Sequence, residues 1–155
     1  MAFSDHDYII QKMPYGSDFH FVDRYEYLHE DGACGYYRYQ ETETFYESHF
    51  PGHPITPGVI LTETMAQIGL VGLGIFLLEK RTLTAKAQLG LLLTESQVQF
   101  LKKVLPGEEV KVISEKVYFR LGKLKCNVTM YNEAGEKVCY GTMAGMLTSE
   151  AIKNG

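Results

Sequence analysis

The sequence contains no tryptophan and only three cysteines, Cys34, Cys126 and Cys139. The cysteines are odd in number, far apart and in no Cys-x-x-Cys arrangement, so neither a disulfide framework nor a cysteine-based metal site is predicted. The chain also has no excess of positive charge, because it contains 15 Lys and Arg and 19 Asp and Glu, which give a formal net charge of −4. Non-specific nucleic-acid binding needs a basic surface, so no nucleic-acid partner is expected.

The distribution of apolar and charged residues indicates neither a secretion signal nor a membrane span. Residues 1–16 are polar and acidic, with no basic segment followed by an apolar one, so no signal peptide is visible and the cytoplasm is the expected location. The longest apolar run, residues 68–78, is about half of the roughly 20 residues that a membrane span needs. It follows a stretch with Thr62, Glu63 and Gln67. We therefore interpret it as part of a buried core helix and expect no membrane association.

The most distinctive stretch is residues 49–67, which read HFPGHPITPGVILTETMAQ. Three of the chain's five prolines, Pro51, Pro54 and Pro57, lie in its first half. Each proline fixes its own φ and favours an extended preceding residue, so this half is predicted to be a loop. Pro57 is a favourable first residue for a helix, and we predict a long helix from Pro57 to Glu79.

Strand-like segments flank this helix on both sides. After a short helical or irregular lead-in at residues 5–13, two strands are predicted before the helix and four antiparallel strands after it. Glycines within the helix predict close approach by a sheet or a second helix, and a chain of 155 residues suits one domain. We therefore predict a single α+β domain over residues 1–155, with an antiparallel sheet wrapped around one helix, and a dimer that covers the rest of the sheet. The predicted strands are residues 19–28, 33–44, 89–100, 108–120, 123–130 and 137–147.

Residues 49–67 closely resemble the signature of bacterial (3R)-hydroxyacyl-acyl carrier protein dehydratases of the FabZ and FabA type. Further similarity appears at Phe21-Val-Asp-Arg24, at Phe45-Tyr46 and at Val104-Leu-Pro-Gly-Glu108. The resemblance implies a hot-dog fold, in which a curved antiparallel sheet surrounds a long helix. It also implies dehydration of 3-hydroxyacyl chains on acyl carrier protein, without cofactor or metal, by a homodimer or a trimer of dimers.

The resemblance implies roles for particular residues. His49 is expected to be the catalytic histidine and Glu63 the catalytic acid, supplied to each site by opposite subunits. Gly58 is expected to hold the thioester carbonyl through its amide. Gln67, one turn after Glu63, is expected either to orient Glu63 or to pack at the dimer interface. The predicted substrate-binding residues are Phe50, Pro57, Gly58, Val59 and Gln67.

These residue types suit the reaction. Dehydration removes a weakly acidic α-proton and expels hydroxide, so it needs a base, an acid and a stabiliser of enolate-like charge. Neutral imidazole matches proton removal near neutral pH. A carboxylic acid can protonate the leaving hydroxyl only if its pKa is raised, as burial of Glu63 in an apolar helix environment is expected to do. The amides of Gly58 and Val59 at the helix start can bind the developing oxyanion, and glycine permits close approach.

Several residues have alternative interpretations. His53 and Glu47 suggest a metal site together with His49, but Pro and Gly between the histidines exclude helical spacing, so we interpret His53 as packing the loop. Ser48, Thr62 and Thr64 depart from the usual family pattern, which bears on substrate choice rather than chemistry. Phe100 and Tyr118 are candidates for an acyl tunnel. The basic residues are either a solvated face or a docking surface for an acidic carrier protein, namely Lys80, Arg81, Lys102 and Lys103.

Two other functions remain open from the sequence. A hot-dog thioesterase would use the carboxylate to activate water and would release free acid instead of an enoyl thioester. A non-catalytic partner subunit would keep the fold without the activity, although the presence of both His49 and Glu63 argues against it. The pathway is either fatty-acid synthesis or a related polyene or polyketide pathway.

Overall fold

The computed structural model describes residues 6–81 and 90–148. Its six strands are β1 (Arg24–His29), β2 (Gly32–Arg38), β3 (Gly90–Phe100), β4 (Glu109–Arg120), β5 (Lys123–Tyr131) and β6 (Lys137–Thr148). They form one antiparallel sheet in the order β1-β2-β4-β5-β6-β3, so β1 and β3 are its edges. The predicted arrangement of two strands, a helix and four strands is confirmed.

The helical elements are α1 (Tyr8–Gln11), α2 (Gly58–Ala66) and α3 (Gly72–Arg81), and short 3-10 helices lie at Ser17–Phe19 and Thr44–Glu47. A π-helical turn, Gln67–Val71, joins α2 to α3. The three segments make one central helix, Gly58–Arg81, within a residue or two of the predicted ends. This helix is long and apolar enough to cross a membrane, but 78% of its most apolar window is buried inside the protein. It is therefore a core helix, as predicted.

The sheet closes around the central helix at its π-helical turn. That turn contacts β2, β3, β4, β5 and β6, while α3 contacts β1. Such contact requires small residues on the helix: a Cβ at Gly69 would lie 3.0 Å from the Ser114 Cβ on β4, and a Cβ at Gly72 would overlap the Tyr25 hydroxyl on β1. The predicted close approach is therefore made by the sheet. The Tyr25 side chain leaves no space for a Cβ at position 72, and a Cβ at position 69 would press against Ser114.

Regular alternation made β5 predictable. Leu124, Cys126, Val128 and Met130 are buried, whereas the residues between them are half-buried or exposed. The turn before β5 is tight, because Leu121 has φ 52° and Gly122 has φ 77°.

All three cysteines are buried and unpaired, and they lie on β2, β5 and β6.

The first two strands are shorter than predicted. β1 begins at Arg24 rather than Phe19, because the Phe19 carbonyl and the Phe21 amide bond to the Gln67 side chain instead of a neighbouring strand. β2 ends at Arg38 rather than residue 44. The lead-in, predicted as helical or irregular, contains a short helix at Tyr8–Gln11. Residue 5 of that lead-in, residue 89 of the third predicted strand and the tail after residue 148 lie outside the described residues.

Candidate active site

The loop before the central helix fixes the His49 side chain. The His49 amide donates to the Phe45 carbonyl at 3.0 Å, at the end of the short helix Thr44–Glu47. The His49 Nδ1 lies 2.8 Å from the carbonyl oxygen of Ile55. Because a carbonyl oxygen only accepts hydrogen bonds, Nδ1 carries a proton, and in the neutral ring Nε2 keeps a lone pair. The contact therefore selects the tautomer of neutral His49 whose Nε2 can act as a base.

The start of α2 lies beside this loop. Pro57 is the cap residue, and the amides of Ile60 and Leu61 donate to its carbonyl at 2.9 and 3.1 Å. Within the described part of the chain, the amides of Gly58 and Val59 have no acceptor. Two such N–H groups at the positive end of a helix are suited to bind an oxygen that gains negative charge.

An open cavity of about 420 Å³ brings His49 and the helix start together. In this cavity the Phe100 ring packs against Gly58, where an added Cβ would lie 3.2 Å from the ring. A larger residue at position 58 would therefore displace Phe100. The cavity is lined by His49, Ile55, Thr56, Gly58, Leu61, Phe100, Leu101, Lys102 and Lys103.

The other predicted substrate contacts differ in exposure. Phe50 is 52% exposed and its ring stacks on His49 with centroids 4.2 Å apart, across a cis peptide bond. Val59 is 77% exposed, whereas Pro57 is buried. Phe100 lines the His49 cavity, whereas Tyr118 lies near the far end of β4 beside Arg120 and is not part of it, and an acyl tunnel at Phe100 stays a prediction. Contact of any of these residues with substrate stays a prediction.

Glu63 is held by a buried glutamine. The Gln67 Nε2 donates to Glu63 Oε2 at 2.9 Å and to the Phe19 carbonyl at 3.1 Å, while its Oε1 accepts from the Phe21 amide at 2.7 Å. Burial raises the pKa of Glu63, and the hydrogen bond from Gln67 offsets part of that rise. The predicted orienting contact between Gln67 and Glu63 is present, and binding of substrate by Gln67 stays a prediction.

His49 and Glu63 lie on different sides of the same chain. Residues of an α-helix are about 100° apart, so Glu63 is about 200° around the helix from Leu61, which lines the His49 cavity. Glu63 is not among the residues that line this cavity. One chain therefore holds His49 and Gly58 of the helix start together, and Glu63 apart from them.

The basic residues separate into two groups. Lys80 lies over the Phe76 ring and Arg81 donates to the Phe119 carbonyl, both at the C-terminal end of the central helix. Lys102 and Lys103 line the His49 cavity instead, and Lys102 pairs with Glu136 at 3.0 Å. No local pattern could indicate which pair lies at the cavity, because a pair of adjacent basic residues looks the same in either place.

The interpretation of His53 as a packed residue is wrong. Its backbone closes the loop by exchanging hydrogen bonds with Phe50 at 2.8 and 3.2 Å, but its side chain is exposed. Among residues 6–81 and 90–148, no three His, Cys, Asp or Glu side chains come close enough to hold a metal ion.

The threonines of α2 have structural partners. Thr64 is fully buried, donates to the Ile60 carbonyl and shares a 2.6 Å hydrogen bond with the Tyr39 hydroxyl. Thr62 donates to the Gly58 carbonyl at 3.0 Å, and Ser48 is exposed. Their predicted influence on substrate choice stays a prediction.

Sequence reasoning missed two tyrosines that interact with the central helix. Burial and the charge of Glu63 both raise the pKa of Tyr15, so this residue interacts with the Glu63 side chain. Tyr25 donates to the carbonyl of Ile68 at 2.8 Å, inside the π-helical turn. Both tyrosines are about 45 positions from their partners in the sequence, so no local pattern could have indicated these contacts.

Comparison with known proteins identifies the family. Residues 13–140 match the FabA-like domain family. The chain is 37% identical over 142 residues to the 3-hydroxyacyl-[acyl-carrier-protein] dehydratase FabZ of Caldicellulosiruptor saccharolyticus, covering 87% of this chain and 92% of the relative. It is 33% identical over 122 residues to the FabZ of Acinetobacter baylyi, covering 78% and 80% of the two chains.

Solved structures show the same fold at low sequence identity. The dehydratase heterocomplex ApeI:P from Xenorhabdus doucetiae has a TM-score of 0.75 at 11% identity, with 94% of both chains covered. A hypothetical thioesterase from Streptococcus pneumoniae bound to coenzyme A has a TM-score of 0.61 at 16% identity, with 88% of this chain and 92% of the other covered. The predicted hot-dog fold is confirmed, and the sequence relatives show that this chain belongs to the FabZ-type dehydratase family.

Proposed function

We propose that this protein dehydrates (3R)-hydroxyacyl thioesters on acyl carrier protein to trans-2-enoyl thioesters, with His49 as base and Glu63 as acid. The observation that carries the proposal is the 2.8 Å contact of His49 Nδ1 with the Ile55 carbonyl, which leaves Nε2 as a base in the cavity of the helix-start amides. The FabZ names of the sequence relatives support the same reaction.

The proposed step needs no co-reactant. His49 Nε2 takes a proton from C2 of the acyl chain while the amides of Gly58 and Val59 bind the thioester oxygen. The C3–O bond breaks as the Glu63 carboxyl gives its proton to the leaving hydroxyl, which departs as water. Imidazolium and carboxylate then remain, and a proton passed from His49 to Glu63 restores both groups. The raised pKa of Glu63 favours the protonated form that this role requires.

The site is proposed to form across a homodimer that joins the β3 edges. β3 has 11 residues, lies at the edge of the sheet and exposes most of them. Leu92 is 56% exposed and Phe100 is 49% exposed, and a long apolar edge of this kind is normally paired with another strand. A second copy at this edge would lie beside the His49 cavity, which Phe100 and Leu101 line. It could supply the Glu63 that this cavity lacks.

Lys102 and Lys103 are proposed to bind the acidic carrier protein at the entrance to this site. Both lie at the cavity that contains His49. Lys80 and Arg81 are at the other end of the central helix, about 35 Å away for 24 residues at 1.5 Å each. We place the protein in the cytoplasm, in fatty-acid synthesis or a related polyene or polyketide pathway.

Hydration of an enoyl thioester by the purified protein, followed by ultraviolet absorbance, tests the proposal. His49→Ala and Glu63→Gln are each expected to lower the rate at least about 100-fold, because general acid and base groups contribute at about that level or more. The matched control is His53→Ala, which removes an exposed histidine from the same loop and is expected to keep the rate.

Each other result has a distinct meaning. Free acid and thiol as products would identify a thioesterase. An inactive but folded wild-type protein would identify a non-catalytic subunit. Near-native rates for either His49→Ala or Glu63→Gln would contradict the assigned roles.

A further inference from the structure

The π-helical turn receives hydrogen bonds from side chains outside the helix in addition to its own backbone bond from the Gly72 amide to the Gln67 carbonyl. A π-turn changes the regular pairing of helix carbonyls, and such turns often occur at functional sites. The Tyr25 hydroxyl lies 2.8 Å from the Ile68 carbonyl and 3.5 Å from the Gln67 carbonyl. Ser114 Oγ donates to the Gly69 carbonyl at 3.0 Å. Three consecutive carbonyls are therefore contacted by residues of the sheet.

The position of Tyr25 is strongly constrained. Its side chain is 2% exposed, and its hydroxyl occupies the space where Gly72 lacks a Cβ. Its backbone amide donates to the Asp7 carboxylate at 2.8 Å. Tyr25 is thus held through its backbone amide at one end and its hydroxyl at the other. Its side chain has no space in which to move away from the turn while the sheet is intact.

The same turn sets the direction of the Gln67 side chain. Gln67 is the first residue of the turn and is fully buried. Its carboxamide makes three hydrogen bonds, to Phe19, Phe21 and Glu63, at 3.1, 2.7 and 2.9 Å. A rotation of the helix backbone at Gln67 would break this set together, because its members lie in different directions.

We propose that Tyr25 is a positioning residue for the acid of the reaction, acting by holding the π-helical turn and thereby aiming Gln67 at Glu63. This inference rests on the proposed function of Glu63 but concerns a residue that touches neither substrate nor acid. Tyr25 fixes the turn, the turn fixes Gln67, and Gln67 fixes the carboxyl that protonates the leaving hydroxyl.

The test compares Tyr25→Phe with Tyr39→Phe. Tyr39 is the matched control because it is also buried and its hydroxyl makes a buried hydrogen bond to Thr64, away from the turn. Tyr25→Phe is expected to lower kcat roughly 10- to 100-fold, as small displacements of reacting groups do, with KM within about twofold. Tyr39→Phe is expected to keep kcat, although both variants lose a buried hydrogen bond and melt at lower temperature.

Dependence on Gln67 separates positioning from a general loss of stability. In a Gln67→Ala background, Tyr25→Phe is expected to change kcat by no more than about twofold, because its route to Glu63 is already broken. An equal loss in both backgrounds would overturn the proposal. So would equal effects of Tyr25→Phe and Tyr39→Phe on kcat.

Titration of the Glu63 carboxyl by carbon NMR tests the connection without turnover. Since the Gln67 hydrogen bond lowers the pKa of Glu63, Tyr25→Phe is expected to move this titration to higher pH and Tyr39→Phe to leave it unchanged. An unchanged titration in Tyr25→Phe would overturn the inference even in an active enzyme. If Tyr25→Phe shifts the Glu63 titration but the unmutated protein does not catalyse dehydration, Tyr25 does position Glu63 and the proposed function is wrong.

Hydrogen exchange of the unmutated protein gives a result even if Tyr25→Phe does not fold. The amides of the π-helical turn, residues 67–71, are expected to exchange as slowly as those at the end of α2, because Tyr25 and Ser114 hold the turn closed. Faster exchange confined to the turn in the intact protein would overturn the proposal.

Discussion

Mixing the inactive variants His49→Ala and Glu63→Gln is expected to restore about a quarter of the wild-type activity, if each site takes its base and its acid from opposite chains of a symmetric dimer. The expectation follows from the position of Glu63. It lies on the side of the central helix away from Leu61, which lines the His49 cavity. A single chain would then give its two groups to different sites.

The magnitude follows from counting sites. Random association of equal amounts places one chain of each kind in about half of the dimers. In such a dimer one site receives both substituted side chains and the other receives both native ones. One intact site out of two, in half of the dimers, gives about 25% of the wild-type rate per chain. If each chain built its own site, every site would lack one group.

The assay is enoyl thioester hydration after the two variants are unfolded, mixed and refolded together. Wild type mixed with the double variant His49→Ala/Glu63→Gln is the control. Shared sites predict about a quarter of the wild-type rate for that mixture, and separate sites predict about half. A mixture of single variants no more active than its components, with mixed dimers verified by native mass spectrometry, would refute the cross-subunit arrangement.

Three further predictions concern the carrier protein, pH and stability. Lys103→Glu is expected to lower kcat/KM about tenfold for carrier-linked substrate and to leave kcat/KM for small thioesters unchanged. Lys80→Glu, far from the cavity, is the control and is expected to change neither value. An equal loss of kcat/KM on both substrates would exclude docking at Lys103. Because burial raises the pKa of Glu63 above 4.5, the folded state holds this proton more tightly than the unfolded state, and that contribution to stability is lost as pH rises through the raised value. Glu63→Gln is therefore expected to melt above wild type at alkaline pH but not below pH 4.5, which thermal unfolding across pH checks. Leu121→Asn is expected to stabilise the protein by about 0.5–1 kcal/mol in thermal unfolding, because Leu121 has a φ of 52° that Asn tolerates better; a lower melting temperature would contradict this.

The sequence predicted the elements whose pattern is local. The alternation in residues 123–130 defined β5, and Pro57 defined the start of the central helix to within one residue. The resemblance of residues 49–67 also brought His49 and Gly58 into one site, and the structure places both at one cavity. These features depend on neighbours in the chain, which is why they were accessible without coordinates.

Features that depend on distant contacts were not predictable. The β1 strand starts five residues later than predicted, because the Gln67 side chain hydrogen-bonds to the Phe19 carbonyl and the Phe21 amide. Gln67 is 46 or more positions from both residues in the sequence. The π-helical turn lies within an unbroken apolar run, where every helical face looks the same. Only the packed structure shows that Tyr25 reaches this turn.

The three buried cysteines give this protein an internal measure of its own opening. Burial raises the pKa of Cys34 and Cys126 to about 11 and that of Cys139 to about 12. Alkylating reagents attack the thiolate, which is scarce in the folded protein at neutral pH and is shielded from solvent as well. Labelling must therefore wait until β2, β5 or β6 separates from the core. Mass spectrometry of alkylated chains would time that event strand by strand, without an introduced probe.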